Sequence, residues 1–396
     1  MFNKAQIKFF SFIVITSSLG QMAAEIYAPS LTFISHDFNA SHSLVQISIS
    51  CYLLGMAIPA VIYGHISDYI GRRKIMLIAA SISFIGTFIC AVAPNIYFLI
   101  TGRVIQGIGF AGVSSTGRAI IRDRLHGLEL ARYSSYLSMA VALSIDLAPF
   151  IGGFLQECFG WRSTFWLILT YNLLVLVVAY KFDDTTELVK GRVTVTTLYL
   201  NIFSVIKNPQ FICYNIICSF GYAIFMLYLA VASFIVQGTL GKSPIWFGTM
   251  TLSLSFIFVI SSFLNGRLLH YFAITKLIRF GMYILTFSVI FLAIGSVIHL
   301  NITWFIISIA PLFMGLSFIL SNSDSLAFNN INEKVGVASA FSSTLRLIIA
   351  MSMIAIISLF NPHSTLPLSL LIGISLFIML VLIKYLSKYQ HEIRKN

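Results

Sequence analysis

The sequence predicts an all-α integral membrane protein, twelve transmembrane helices arranged as two six-helix halves. Three observations carry this. Of 396 residues, 58% are hydrophobic and only 10% are charged, whereas soluble domains are about 25% charged. Apolar runs of about 20 residues, the length that spans a bilayer, recur along the chain. The basic residues then fall almost wholly on one side of the resulting topology. Together these exclude a soluble enzyme, a coiled coil and a disordered chain. A membrane β-barrel would instead show short segments of alternating polarity.

The runs place twelve spans at about 8–29, 44–64, 75–93, 97–120, 133–155, 163–181, 210–235, 245–265, 277–298, 303–327, 337–359 and 366–386. Met22-Ala23-Ala24 has the look of a signal-peptidase site. The apolar stretch runs on through Tyr27, however, too long for a signal segment, so it is read as span 1. Most connections are short, as between antiparallel neighbours. The longest, 182–209, separates an N-terminal bundle (1–181) from a C-terminal bundle with a short tail (210–396). Of the basic residues flanking spans, only Arg162 and Lys242 lie on the minority side. The crowded side, with both termini, is therefore expected to be cytoplasmic, and the chain multi-pass in its membrane.

The net charge of +12 is accounted for by these topology signals, and nucleic-acid binding is not expected. The five cysteines, Cys51, Cys90, Cys158, Cys213 and Cys218, include no CxxC and lie mostly in apolar runs. They read as small buried hydrophobes, not as a disulfide framework or zinc site. No metal or cofactor is predicted.

The connection after span 2 carries Gly64-x-x-x-Asp68-x-x-Gly71-Arg72-Arg73-Lys74. Gly64 is expected to permit close helix approach and Gly71 a tight reversal. Asp68 can pair with Arg72 and with a span-4 base such as Arg122, giving a charge cluster that locks one conformation and releases another. The connection after span 8 repeats it faintly, with Gly266, Tyr271 and Lys276 at one constant offset from Gly64, Tyr69 and Lys74. Repeated halves with a site between them near the midplane are a construction rule of transporters.

Several polar residues lie inside spans. A charge within the bilayer costs about 2.5–3.5 kcal/mol on insertion scales, so it should face a cavity or a partner. Span 1 places Ser17, Gln21 and Glu25 on one helical stripe, and span 4 places Arg103, Gln106, Gly107 and Ser114 on another. Glu25 and Arg103 fall at one depth, roughly 5–10 Å below the outer edge at 1.5 Å rise per residue, and are expected to pair. Asp146 lies in mid-span 5 beside Pro149, Gly152 and Gly153, small residues and a proline that favour close packing and a bend. It reads equally as a titrating carboxylate or as a local hydrogen-bonding group. Span 10 carries Ser317, Ser321 and Asp324, and span 11 carries Ser339, Ser342 and Arg346. Asp324 and Arg346 are expected to pair, about one helical turn apart in depth.

The Gly64–Lys74 loop resembles the signature loop of the major facilitator superfamily. Other stretches narrow the likeness to its Bcr/CflA drug-resistance exporters: Gly20-Gln21-x-x-x-Glu25-Ile26-Tyr27-x-Pro29, followed by Asp37; Arg103-x-x-Gln106-Gly107-x-Gly109; Arg118-Ala-Ile-Ile-Arg122-Asp123; Ala148-Pro149-x-x-Gly152-Gly153; and Gly160-Trp161-Arg162. The resemblance implies a twelve-helix major facilitator fold, alternating access and proton-driven export of a small molecule. The chain departs from the pattern at Glu25, where the family usually has Asp. It also departs at Ser321, before Asn322, where the family has Pro, and at Arg346, where Gln is common. Asp146 and Asp324 are additions. The extra ionisable groups point to a polar, specialised substrate.

The expected function is thus a proton-coupled secondary transporter working as a monomer in the lipid bilayer, with protons and a small molecule as partners. Glu25, Arg103, Asp146 and Asp37 are expected to couple them. Gln21, Tyr27, Gln106, Asn322, Asp324 and Arg346 are expected to line the pathway. Gly64, Asp68, Gly71, Arg72, Arg73 and Arg122 would form the latch, and Pro149, Gly152 and Gly153 the packing motif. Competing readings are a metabolite- or siderophore-specific exporter or importer of the same fold, and a non-transporting receptor or scaffold. No HExxH, GxSxG or compact nucleophile–base grouping marks an enzyme.

Overall fold

The computed structural model describes residues 4–125, 127–182, 203, 205–297, 301–329, 331, 335–360 and 364–395. Among them, twelve helices are long and apolar enough to cross a membrane. They are span 1 (Lys4–Glu25, continued by Leu31–Asp37), span 2 (His42–Ile70), span 3 (Arg72–Ala91), span 4 (Ile96–Arg124), span 5 (Gly127–Phe159) and span 6 (Arg162–Tyr180). Then come span 7 (Pro209–Ser233), span 8 (Pro244–Leu268), span 9 (Ile274–Gly295), span 10 (Ile302–Phe328), span 11 (Val335–Ile357) and span 12 (Thr365–Lys395). Side-chain caps start several of them. Asn95 accepts from the Tyr97 and Phe98 N–H groups, Asn208 from Gln210 and Phe211, and Asn301 from Trp304, satisfying N–H groups that have no partner within the helix.

Two spans depart from the sequence reading in a way that matters for the site. Span 1, expected as one run to residue 29, breaks after Glu25. Pro29 has no N–H to return to the Glu25 carbonyl. The chain makes one 3₁₀ turn at Ala28–Ser30, with the Ser30 N–H on the Tyr27 carbonyl at 2.9 Å, before resuming over Leu31–Asp37. The apolar part of span 2 ends at Gly64 as expected, but its helix does not. Its helix runs on through Asp68 to Ile70, so most of the expected loop is helical. The reversal falls on Gly71 alone, whose φ of 105° favours glycine. Span 7 also changes winding near its end, closing with a π-helical segment at Phe234–Thr239.

Contacts divide the chain into two units, Met1–Thr194 with Ser243–Thr249, and Val195–Lys242 with Met250–Asn396. In the first, span 4 lies against spans 2 and 3 at backbone distance. A Cβ on Gly107 would fall 2.3 Å from the Tyr52 carbonyl oxygen, and one on Gly109 would fall 2.2 Å from the Ser83 nitrogen. Such approach substitutes dispersion contact for the hydrophobic drive that helices in lipid lack. Large apolar side chains such as Ile58, Ile78, Ile85, Phe256, Ile260 and Phe263 are exposed, as expected of a protein whose solvent is hydrocarbon.

Candidate functional site

The break in span 1 puts Glu25 at the end of a helix and leaves its side chain 1% exposed. Neither carboxyl oxygen has a hydrogen-bond partner. Asp146 is half-buried on span 5, the helix that packs against this break. Span 5 reaches the break because it carries Gly152, where a Cβ would sit 1.8 Å from the Ile26 carbonyl oxygen. Gly153, a residue further, would clash at 2.4 Å with the Pro244 carbonyl oxygen of the same unit. Pro149 is accommodated inside the helix.

Arg103 is fully buried but does not pair with Glu25. Ion pairs among the described residues include Arg72–Asp68, Arg72–Asp123, Arg162–Asp37 and Arg346–Asp324. Arg103 is held otherwise. Its guanidinium carbon lies 4.0 Å from the Tyr52 ring centroid and 4.7 Å from that of Tyr27. Its Nη1 donates to the Ala23 carbonyl at 3.0 Å and to Gln106 Oε1 at 2.7 Å. Two aromatic faces and two neutral acceptors thus take the charge that the sequence reading gave to Glu25. Arg103 Nε and Nη2 are buried without partners. Gln106 is turned by its other end, Nε2 donating to Thr87 Oγ1 at 3.0 Å. The rings are fixed in turn: Tyr52 OH donates to the Gly20 carbonyl at 2.5 Å, and Tyr27 OH bonds the Val45 carbonyl and Ser48 Oγ. Gln21 is half-buried on the same helix.

Asp37 belongs to a different assembly. Trp161 Nε1 and Arg162 Nη1 both donate to its Oδ2 at 2.9 Å, and Arg162 Nη2 donates to the Ala93 carbonyl at 3.1 Å. This clamp ties the end of span 1 to the 3–4 and 5–6 connections. The Gly160-Trp161-Arg162 stretch carried its signal, but only as part of a family likeness.

The charge cluster of the Gly64–Lys74 stretch is assembled around Arg72. Its Nη2 meets Asp68 at 2.5 Å and its Nε meets Asp123 of span 4 at 2.8 Å. Asp123 is the partner the sequence reading passed over in favour of its neighbour. Arg122 Nε instead donates weakly to the Arg118 carbonyl at 3.4 Å. Arg72 is 6% exposed, with further bonds to Ser67 Oγ and the Gly64 carbonyl. Arg73 donates to the Tyr180 carbonyl and lies over that ring at 5.3 Å. Gly64 does not serve close helix approach: a Cβ there would meet nothing within 4 Å.

In the second unit, Arg346 Nη2 donates to Asp324 Oδ1, as the spacing predicts. Asn322 is 2% exposed and exchanges amide bonds with Asn265 of span 8 at 2.8 and 3.3 Å. That mutual pairing makes it an interhelical tie. An isolated Asn265 in an apolar span gave no sign of it.

The sequence model of the family described as Major Facilitator Superfamily matches residues 12–355. The chain is 29% identical to "Uncharacterized MFS-type transporter YdgK" of Bacillus subtilis (strain 168), over 84% of this chain and 83% of that protein. It is 29% identical to "Multidrug resistance protein D" of Escherichia coli (strain K12), over 64% of this chain and 63% of that one. It is 22% identical to the "Bicyclomycin resistance protein homolog" of Haemophilus influenzae, over 94% of each. In fold it is similar to a crystal structure of a D-xylose-proton symporter, with TM-score 0.74 and 15% identity, covering 94% of this chain and 97% of that one.

Proposed function

Because the chain belongs to the Major Facilitator Superfamily, we propose that it is a proton-coupled exporter of a small molecule, working by alternating access as a monomer in a bacterial inner membrane with both termini cytoplasmic. The relatives named for multidrug and bicyclomycin resistance support the direction. In this reading the two halves, 1–181 and 210–396, rock about the connection at 182–209, and the Arg72 cluster holds one of the two states.

The observation that carries the coupling is Glu25, an embedded carboxyl group with no hydrogen-bond donor on either oxygen. A bare carboxylate in such a place is costly, and binding a proton removes the charge. Asp146, on the span that packs against the break through Gly152, is the second carboxylate of the coupling set. When water or substrate reaches the break in span 1, the proton can leave and the vacated group can take a substrate donor. Proton and substrate thus compete for one site. Arg103, locked by Tyr27 and Tyr52, supplies a fixed positive field and does not travel. Discontinuous helices that place such groups at depth are a recurrent transporter device.

The test is flux into proteoliposomes holding the full chain, with a small-molecule extract of host cells as the source of substrate. Accumulation that follows an imposed pH gradient and collapses with a protonophore is the expected result. Protein-dependent flux that ignores the gradient would overturn the coupling.

A further inference from the structure

The second unit holds an ion pair inside its spanning helices that the coupling reading does not use. Asp324, near the end of span 10, receives Arg346 Nη2 from span 11. Span 7 supplies the third wall. Cys218 Sγ lies 3.7 Å from the Leu320 carbonyl oxygen and 3.9 Å from Asp324 Oδ1. A polar stripe extends from there: Ser342, one turn before Arg346, bonds Asn215 Oδ1 at 2.5 Å, and Asn215 Nδ2 is buried without a partner.

Two features distinguish this pair from one that only ties helices together. It is open: 29% of the Arg346 side chain and 46% of the Asp324 side chain are accessible, and charges at such a level face water or a ligand, not lipid. It is also unsaturated. The guanidinium offers five donor hydrogens in a fork suited to a carboxylate, yet Asp324 engages only Nη2, and Nε has no partner.

We propose that Asp324 and Arg346 form the recognition site for a zwitterionic small molecule, one that carries both a carboxylate and an amine. This rests on the export reading above. Arg346 takes the carboxylate, Asp324 takes the ammonium group, and the internal pair opens as both of its members are re-paired. The requirement for both charges follows from the pairing of the two groups within the spans. An anion alone would occupy Arg346 and strand Asp324, and a cation alone would strand Arg346. Either leaves one charge unmatched inside the spanning helices, where an embedded charge needs a partner. A zwitterion exchanges one neutral set of contacts for another, so it is accepted without a net change of embedded charge. Asp324 lies one turn from the end of span 10 that the topology places at the cytoplasm, the side from which an exporter loads.

The experiment gives proteoliposomes of the full chain a small-molecule extract of host cells. Mass spectrometry with amine-specific and carboxyl-specific tags then types what accumulates. The expected result is that transported compounds take both tags. The neutral double variant Asp324→Asn/Arg346→Gln should lower their flux roughly tenfold or more, the loss of hydrogen bonds to charged groups. Arg346→Lys keeps the charge without the fork, and should raise KM for the same compounds with little change in capacity. Transported compounds that take one tag or none would overturn the proposal. So would a double variant that slows every ionic class alike, the sign of a tie or gate. If nothing accumulates, the export reading fails by itself, and equilibrium dialysis of the same extract against the purified chain decides the site. Retention of doubly tagged compounds by the wild type but not by the double variant sustains it, and any other pattern refutes it.

Discussion

Arg103 lies 4.0 Å from the centre of the Tyr52 ring, and this contact, with Tyr27 on another side, holds the buried charge in place of an ion pair with Glu25. The consequence is a division of labour. The guanidinium is anchored, and the carboxyl group is left without a donor.

The anchoring makes a specific demand on residue 52. Tyr52→Phe keeps the ring and loses only the bond to the Gly20 carbonyl, so it should transport near the wild-type rate. Tyr52→Leu removes the face over which Arg103 sits and should cost about 2 kcal/mol, as for a desolvated cation–π contact. Thermal unfolding of the two purified variants checks this, and equal losses would show that the ring face is irrelevant.

Around Arg72 the prediction is of shared partners. Asp68→Asn and Asp123→Asn each leave one carboxylate on the guanidinium. Each should reduce turnover by roughly tenfold, the worth of a charged hydrogen bond, without reducing the amount inserted. The double variant leaves a 6%-exposed arginine with no carboxylate, and its effect should exceed the product of the two. Transport assays normalised to membrane abundance measure this. A wild-type rate for a folded Asp68→Asn protein would remove the latch.

The two glycines of that motif should behave differently. Gly71 holds a φ of 105°, so Gly71→Ala should cost about 1–3 kcal/mol of backbone strain. Gly64 has open space where a Cβ would go, so Gly64→Ala should unfold within a degree or so of the wild type, a shift below that expected for about 0.5 kcal/mol. Thermal melts of the pair decide whether spacing or backbone geometry explains the motif.

For the second unit, Asp324→Arg and Arg346→Asp should each lower the melting temperature, because each places two like charges together in the membrane. The swap of both should recover most of the loss. Additive damage would mean that the two groups serve separate roles.

Much of this was legible in the sequence. Apolar runs and the one-sided distribution of bases define the twelve spans, because lipid enforces both length and charge placement. Asp324 and Arg346 could be matched by depth. Glu25 and Arg103 could also be matched by depth, yet they do not pair, since depth leaves the rotation of each helix open. Tyr52 supplies what Glu25 was expected to supply, and an aromatic residue in an apolar span looks like packing. The break at Glu25 was visible as Pro29, but the 3₁₀ turn that follows depends on Tyr27 and Ser30 finding each other. Asp123 was overlooked because its neighbour Arg122 offered the more obvious complement to Asp68. Spacing identifies which helix answers a charge, not which of two adjacent side chains does.

The most direct measurement of the central claim is proton coupling in Glu25→Gln. Glutamine keeps the shape and cannot carry the proton. In proteoliposomes the variant should lose accumulation against a gradient when a pH difference is imposed. It should retain exchange of labelled for unlabelled substrate, which needs alternating access but no net proton movement. Uphill accumulation that survives in Glu25→Gln would contradict the account and shift the proton to another carboxylate, with Asp146 the first to test.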